Sequence, residues 1–244
     1  MESKAYKVQK HGAVAIVLMD RPPVNAMSAS FRRQLADLFG ELTEDDAVQA
    51  IVLSGAGRTF CGGMDIKEPK DSVRMRSDSE HRAFTNSMRE CPKPIVAALN
   101  GATVGTGVNI AAACDVLIAS ESAFMSMPEV SVGIPNGASG LVRLFGQSRG
   151  RRMFFTGMRV SAQELYRLGV VEACVPPEKL IEEALAIAQE MVQVEPAVLA
   201  AAKHLYNLAQ EVPFAIAKNM EYALSSQLSE ARKGNVTRQT RERK

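Results

Sequence analysis

At 244 residues with 46% hydrophobic side chains, the chain is long enough to fill one large core or two small ones. Its 29 Lys+Arg against 27 Asp+Glu leave a formal charge of +2, which removes nucleic acid and anionic membrane as default partners. Apolar runs such as AVAIVLM at 13–19 fall well short of the roughly 18 residues of a spanning helix. The start MESKAYKVQKHG lacks a charged-then-apolar leader pattern, so the expected address is cytoplasmic.

Apolar alternation and β-branched residues predict strands at 5–10, 13–19, 49–55, 94–101, 115–120 and 170–175. Helical spacing predicts helices at 28–42, 78–90, 107–113, 140–155, 161–168, 178–194, 196–210 and 212–230. Strands alternate with helices through the first two-thirds and helices then take over, the pattern of an α/β core with a helical C-terminal layer. Ser28 is placed to N-cap the first helix, and Ser161 with Glu164 forms a capping-box pattern. The polar run at 67–82 predicts a mobile surface loop that turns helical near Glu80, and the basic tail at 231–244 is expected to fray.

Cys61, Cys91, Cys114 and Cys174 form no C-x-x-C pair and no His/Cys ligand spacing, so no metal site is expected. Cys61 lies in a glycine-rich loop, but no histidine adjoins it in sequence to activate the thiol, and a buried, inert thiol is the expectation.

Two segments share one design of strand, glycine turn and helix: RTFCGGMDIKE at 58–68 and GATVGTGVNIAAACD at 101–115. In both, glycines let successive N–H groups point into a common space, and a helix N-terminus behind the second adds positive dipole. Two such donors facing each other would make an oxyanion hole. A phosphate cradle is the rival, although neither loop carries GxxxxGK[ST] or a full GxGxxG. Asn109 puts a neutral amide one turn past the second loop. In FMSMPEVSVGIPNG at 124–137, Pro128 suits the first helical position and Glu129 the second. On spacing alone Glu129 reads as a carboxylate on a helix dipole, worth about 0.3–1 kcal/mol, ahead of a catalytic acid or base.

These stretches, taken in order, resemble the crotonase superfamily, the enoyl-CoA hydratase/isomerase family. The resemblance begins at GAVAIVLMDRPPVNAMS (12–28), similar to the family's opening hairpin and its turn ending in N-A-[LM], and continues through IVLSGAGRTFCGGMDIKE (51–68) and its F-x-x-G-x-D-[IL] loop. It runs on through residues 92–120, 123–134 and FTGMRVSAQELYRLGVVEACVP at 155–176. It implies a crotonase-like spiral of ββα units over 1–175 holding the acyl-CoA site, and a C-terminal helical region over 176–244 that packs in trimers. It implies a thioester carbonyl held by the Met64 and Thr106 N–H groups. It also implies a CoA contact surface from Ala26, Gly62, Met64, Asp65, Ile66, Lys67, Gly105 and Thr106. Lys67 would meet the nucleotide phosphates. Coenzyme A would be part of the substrate, with no resident cofactor. Apolar residues Leu180, Ala184, Ile187 and Met191, a stripe that one layer does not fully cover by expectation, support a homotrimer or a hexamer of two trimers.

Three departures from the family pattern matter. Thr106 stands where glycine is usual, so its donor requires an ordinary negative φ. Pro135 comes one residue early, with Asn136 at the usual proline position. The two glutamates that hold water in the family's hydratases map to Asn109 and Glu129, so one carboxylate has become an amide that can orient a ligand but takes no proton at ordinary pH. A single base suggests Δ3,Δ2-enoyl-CoA isomerisation through a thioester enolate. The alternatives are a hydratase or hydratase-lyase in which Asn109 positions water, and a non-catalytic acyl-CoA-binding protein.

Overall fold

In the computed structural model, residues 4–68 and 82–242 are described, with side chains through Ala231. A hairpin of β1 (Tyr6–His11) and β2 (Val14–Met19) leads into α1 (Ala29–Glu44). Three ββα turns follow. The first is β3 (Ala50–Gly55), β4 (Thr59–Cys61) and the helix α2 over 82–90. The second is β5 (Ile95–Leu99), β6 (Ala102–Val104) and α3 (Thr106–Ala113). The third is β7 (Val116–Ser120), β8 (Phe124–Ser126), a 3-10 turn at Glu129–Val132 and α4 (Ala138–Thr156). The chain continues through β9 (Val160–Ser161), α5 (Ala162–Arg167), β10 (Ala173–Val175), α6 (Leu180–Met191), α7 (Pro196–Ala209) and α8 (Phe214–Glu242).

The longer strands build a six-stranded sheet in the order β1-β2-β3-β5-β7-β10, parallel from β2 onward. Its inner strands are almost entirely apolar, with only Ser54 and Ser120 as buried polar side chains, because both faces are covered. Ile51, Leu53, Ile95 and Ala97 face the α1 residues Leu35, Leu38, Phe39 and Leu42. Their neighbours Val14, Val52, Val96 and Ala98 face Leu180, Ala184 and Ala188 of α6. Half of the α6 stripe expected to join copies, Leu180 and Ala184, is therefore buried against the chain's own sheet, and Ile187 and Met191 pack at its margin.

The strand expected over 94–101 ends at Leu99, and Asn100 explains the end. Its amide accepts from Gly55 N–H (3.1 Å) and donates to the Gly57 carbonyl (3.0 Å), which turns the chain out of the large sheet after Leu99. It enters a second, four-stranded sheet, β4-β6-β8-β9. Three-residue strands carry too little alternation to read from sequence. Ser28 caps α1 as expected, its hydroxyl accepting from Phe31 N–H at 3.1 Å. Only half of the second capping box forms: Ser161 accepts from Glu164 N–H at 3.4 Å, but the Glu164 carboxylate is taken by Arg149 and Arg167. The tail expected to fray is helical through Glu242. The segment 69–81, which holds most of the expected surface loop, lies outside the described residues.

Candidate functional site

The small sheet gathers the site. β4, β6 and β8 run parallel side by side, with Thr59 opposite Ala102 and Ala102 opposite Phe124. The segments that leave their C-terminal ends are therefore neighbours: 62–68 after β4, Gly105 and Thr106 after β6, and 127–129 after β8. The first two touch closely. A Cβ on Gly107 would lie 2.7 Å from the Cys61 carbonyl oxygen, and one on Gly63 would lie 3.3 Å from that of Val104. The Gly105 N–H donates to the Ser126 carbonyl at 2.9 Å, tying the second turn to the third strand.

Gly105 has φ 55° and ψ −114°, a backbone shape that suits glycine. Glu129 occupies the space a side chain there would need, its Cδ 2.9 Å from the position of a Gly105 Cβ. The sequence placed Pro128 at the first helical position and Glu129 at the second. The structure puts Pro128 at the N-cap and Glu129 first in a four-residue 3-10 turn. So short a turn carries little macrodipole. Glu129 Oε2 is buried and has no hydrogen-bond partner, and burial pushes the carboxyl above its ordinary range, opposed by its own backbone N–H. Met127 beneath it is fully buried, whereas Val130 turns outward.

Among the described residues, no hydrogen bond uses the Met64 or Thr106 N–H. Met64 sits in a parallel bridge with Met27 whose bonds run through its neighbours, Met27 N–H to Gly63 O (2.8 Å) and Asp65 N–H to Met27 O (3.2 Å). Thr106 opens α3 with a negative φ, since Asn25 is the one non-glycine described at positive φ. The departure from glycine therefore leaves the backbone in its ordinary region. The other expected contact residues are partly committed. Arg21 holds both the Ala26 carbonyl (2.8 Å) and the Asp65 carboxylate (2.6 Å). Asp65 also accepts from Lys67 N–H (3.0 Å), and these bonds, led by Lys67, hold its pKa below the carboxylate range. Gly62 N–H donates to Val24 O at 2.8 Å. Ile66 is 95% exposed, and the Lys67 side chain is exposed beside it. Arg21 and Asn25 escaped the sequence reading. The buried Asn25 amide ties the opening turn to β4 through the Thr59 carbonyl (2.7 Å).

Asn109 lies one turn along α3 from Gly105. Its Oδ1 is buried without a partner, 2.6 Å from the position of a Gly140 Cβ. It also lines a cavity of about 290 Å3 between α2, α3 and α4, whose other polar walls include Arg82, Arg89, Arg143, Asn86 and Asn136. Glu129, Met64 and Thr106 do not line it. Cys61 is buried with its thiol pushed up to about 12 by desolvation, partly offset by a hydrogen bond from Gly63 and reinforced by the nearby Glu129 charge. An inert thiol was the sequence expectation, and burial gives it a physical cause.

A staircase of ββα turns, with three loops meeting at the ends of parallel strands, has the crotonase fold. The chain belongs to the enoyl-CoA hydratase/isomerase family, whose pattern it matches over residues 9–239. It is 33% identical over 216 residues to the short-chain-enoyl-CoA hydratase of Clostridium acetobutylicum, covering 85% of this chain and 82% of that one. It is also 33% identical over 225 residues to the mitochondrial enoyl-CoA hydratase of Pongo abelii, covering 90% and 78%. The crystal structure of an enoyl-CoA hydratase from Bacillus anthracis superposes with a TM-score of 0.87 at 29% identity, covering 91% of this chain and 90% of that one. The chain is thus an acyl-CoA enzyme of this family.

Proposed function

We propose that the enzyme moves a proton on a thioester-activated acyl chain with Glu129 as its one base, and that Δ3,Δ2-enoyl-CoA isomerisation is its reaction. The observation that carries this reading is the desolvated Glu129 carboxylate with a free Oε2, paired with an amide, Asn109, at the other family position. Met64 and Thr106 N–H hold the thioester oxygen, each contributing about 2.7–4 kcal/mol as negative charge gathers there. Glu129 takes the proton from C2, the electron pair enters the thioester carbonyl as an enolate, and the proton returns to C4 as the double bond shifts from C3–C4 to C2–C3. A base with a raised pKa suits this shuttle, because it is strong enough to take the proton and holds it long enough to return it. Lys67, exposed beyond the Asp65 turn, meets the nucleotide phosphates. The copies assemble as trimers or pairs of trimers, using large apolar side chains that remain exposed on α8, Phe214, Ile216 and Tyr222.

A second reading, hydration of a 2-enoyl-CoA, is favoured by the buried, unpartnered Asn109 Oδ1, an acceptor with nothing to accept. There Asn109 would hold the water and Glu129 would carry both proton transfers. The names of the relatives above accord with it. Turnover of paired 2-enoyl- and 3-enoyl-CoA thioesters with product identification decides between the two. Rapid conversion of the 3-enoyl compound to the 2-enoyl isomer supports the first reading, and fast formation of the 3-hydroxyacyl product from the 2-enoyl compound replaces it with the second.

A further inference from the structure

The cavity beside Asn109 has an unusual charge for a compartment next to an acyl site. Three guanidinium side chains line it, Arg82 and Arg89 two turns apart on α2 and Arg143 on α4, and no carboxylate among the described residues does. Two acids nearby, Glu211 and Asp115, are already engaged. Glu211 takes one arm of Arg89 at 2.6 Å, leaving Arg89 Nε buried without a partner. Asp115 is held by Lys203 (2.9 Å) and by Ile95 N–H (2.7 Å). Arg143 reaches only the amide oxygen of Asn207, at 3.4 and 3.5 Å, and burial followed by the adjacent Arg89 charge pulls its pKa below the usual value. Arg82 makes no side-chain hydrogen bond or ion pair among the described residues. Ala112, Ala113 and Gly140 keep the floor of the cavity open.

We infer that this cavity receives the far end of an acyl group bearing a second carboxylate, held by Arg82, Arg89 and Arg143. The inference rests on the reading that the 62–68 and 105–106 loops hold the thioester. Asn109 lies one helical turn from the thioester loop and lines the cavity, so an acyl chain passing Asn109 enters among the arginines. A guanidinium fork matches a carboxylate in both charge and geometry. An uncharged acyl tail would bring no negative charge to Arg82 and Arg143, which form no ion pair among the described residues, or to the second arm of Arg89. A purely structural role for Arg143, bracing Asn207, accounts for neither the free Arg82 nor the unpartnered Arg89 Nε.

The test measures binding, so it does not depend on which reaction the enzyme performs. Dissociation constants are obtained by calorimetry for succinyl-, glutaryl- and adipyl-CoA, for their uncharged counterparts butyryl-, valeryl- and hexanoyl-CoA, and for free CoA. The proteins are the wild type, Arg82→Ala, Arg82→Glu and Arg143→Ala. At one or more chain lengths the dicarboxylic thioester should bind the wild type at least about tenfold more tightly than its uncharged counterpart. That ratio should fall toward one in both alanine variants and invert in Arg82→Glu, which is exposed and safe for folding if Arg143→Ala proves unstable. Equal or weaker binding of every dicarboxylic thioester by the wild type overturns the inference alone. So does a preference that survives in the Arg82 variants. If Arg82→Ala weakens free CoA as much as adipyl-CoA, the arginines serve the nucleotide phosphates and the inference fails. Absence of binding by CoA and every thioester removes the acyl-CoA reading together with the inference.

Discussion

The Glu129 carboxylate occupies the space where any residue other than glycine at position 105 would place its Cβ. Gly105 also sits at φ 55°, so the turn that presents the Thr106 N–H and the seat of the carboxylate are one piece of backbone. Gly105→Ala should disturb both. We expect kcat to fall by about 10²-fold, the scale of an ångström-sized misplacement of a reacting group, together with a loss of about 1–3 kcal/mol of stability from the strained φ. Steady-state kinetics and denaturant melts check this; a variant with wild-type kcat would show that the carboxylate does not act from this seat.

Glu129→Gln should separate activity from stability. As the base, its loss should cost about 10²–10⁴ in kcat. Burial raises the carboxyl pKa in the native state above its unfolded value. The native state therefore binds this proton more tightly, and the stability it contributes is complete below the ordinary carboxyl range and lost as pH rises through the raised pKa. The neutral glutamine avoids that loss. Thermal melts should show Glu129→Gln more stable than wild type near neutral pH, with the difference vanishing in acid below the ordinary glutamate value.

Asn109→Glu restores a carboxylate at the first of the two family positions. Hydration of a 2-enoyl-CoA should appear or rise in this variant while 3-enoyl isomerisation falls, whereas Asn109→Ala should cost isomerisation far less than Glu129→Gln does. Both rates are followed by chromatography of the products. A wild type that hydrates quickly and loses hydration in Asn109→Ala would make Asn109 the holder of the water.

Light scattering at micromolar protein should return the mass of three or six copies. Replacing the exposed Phe214 and Tyr222 of α8 by serine should shift that mass downward. A monomer in the wild type would refute the assembly.

The sequence alone determined the long strands, because apolar runs with β-branched residues have no other stable place than a sheet covered on both faces. It also determined the glycine turns at 62–63 and 105–107 and the replacement of a carboxylate by Asn109, since residue identity is itself the chemistry. It ran β5 past Leu99 and missed β6, because the turn depends on Asn100 bonding to Gly55 and Gly57, residues more than forty positions away. It overestimated the α6 stripe as a surface for other copies, because its burial depends on the far side of a sheet made of distant strands. Its spacing alone favoured Glu129 as a helix-dipole carboxylate and only the family resemblance made it a base, whereas the register of β4, β6 and β8 sets it over Gly105 in a desolvated place. Only the tertiary structure brought Arg82, Arg89 and Arg143 to one cavity. Burial and convergence are properties of the space between elements, and no local pattern of residues encodes them.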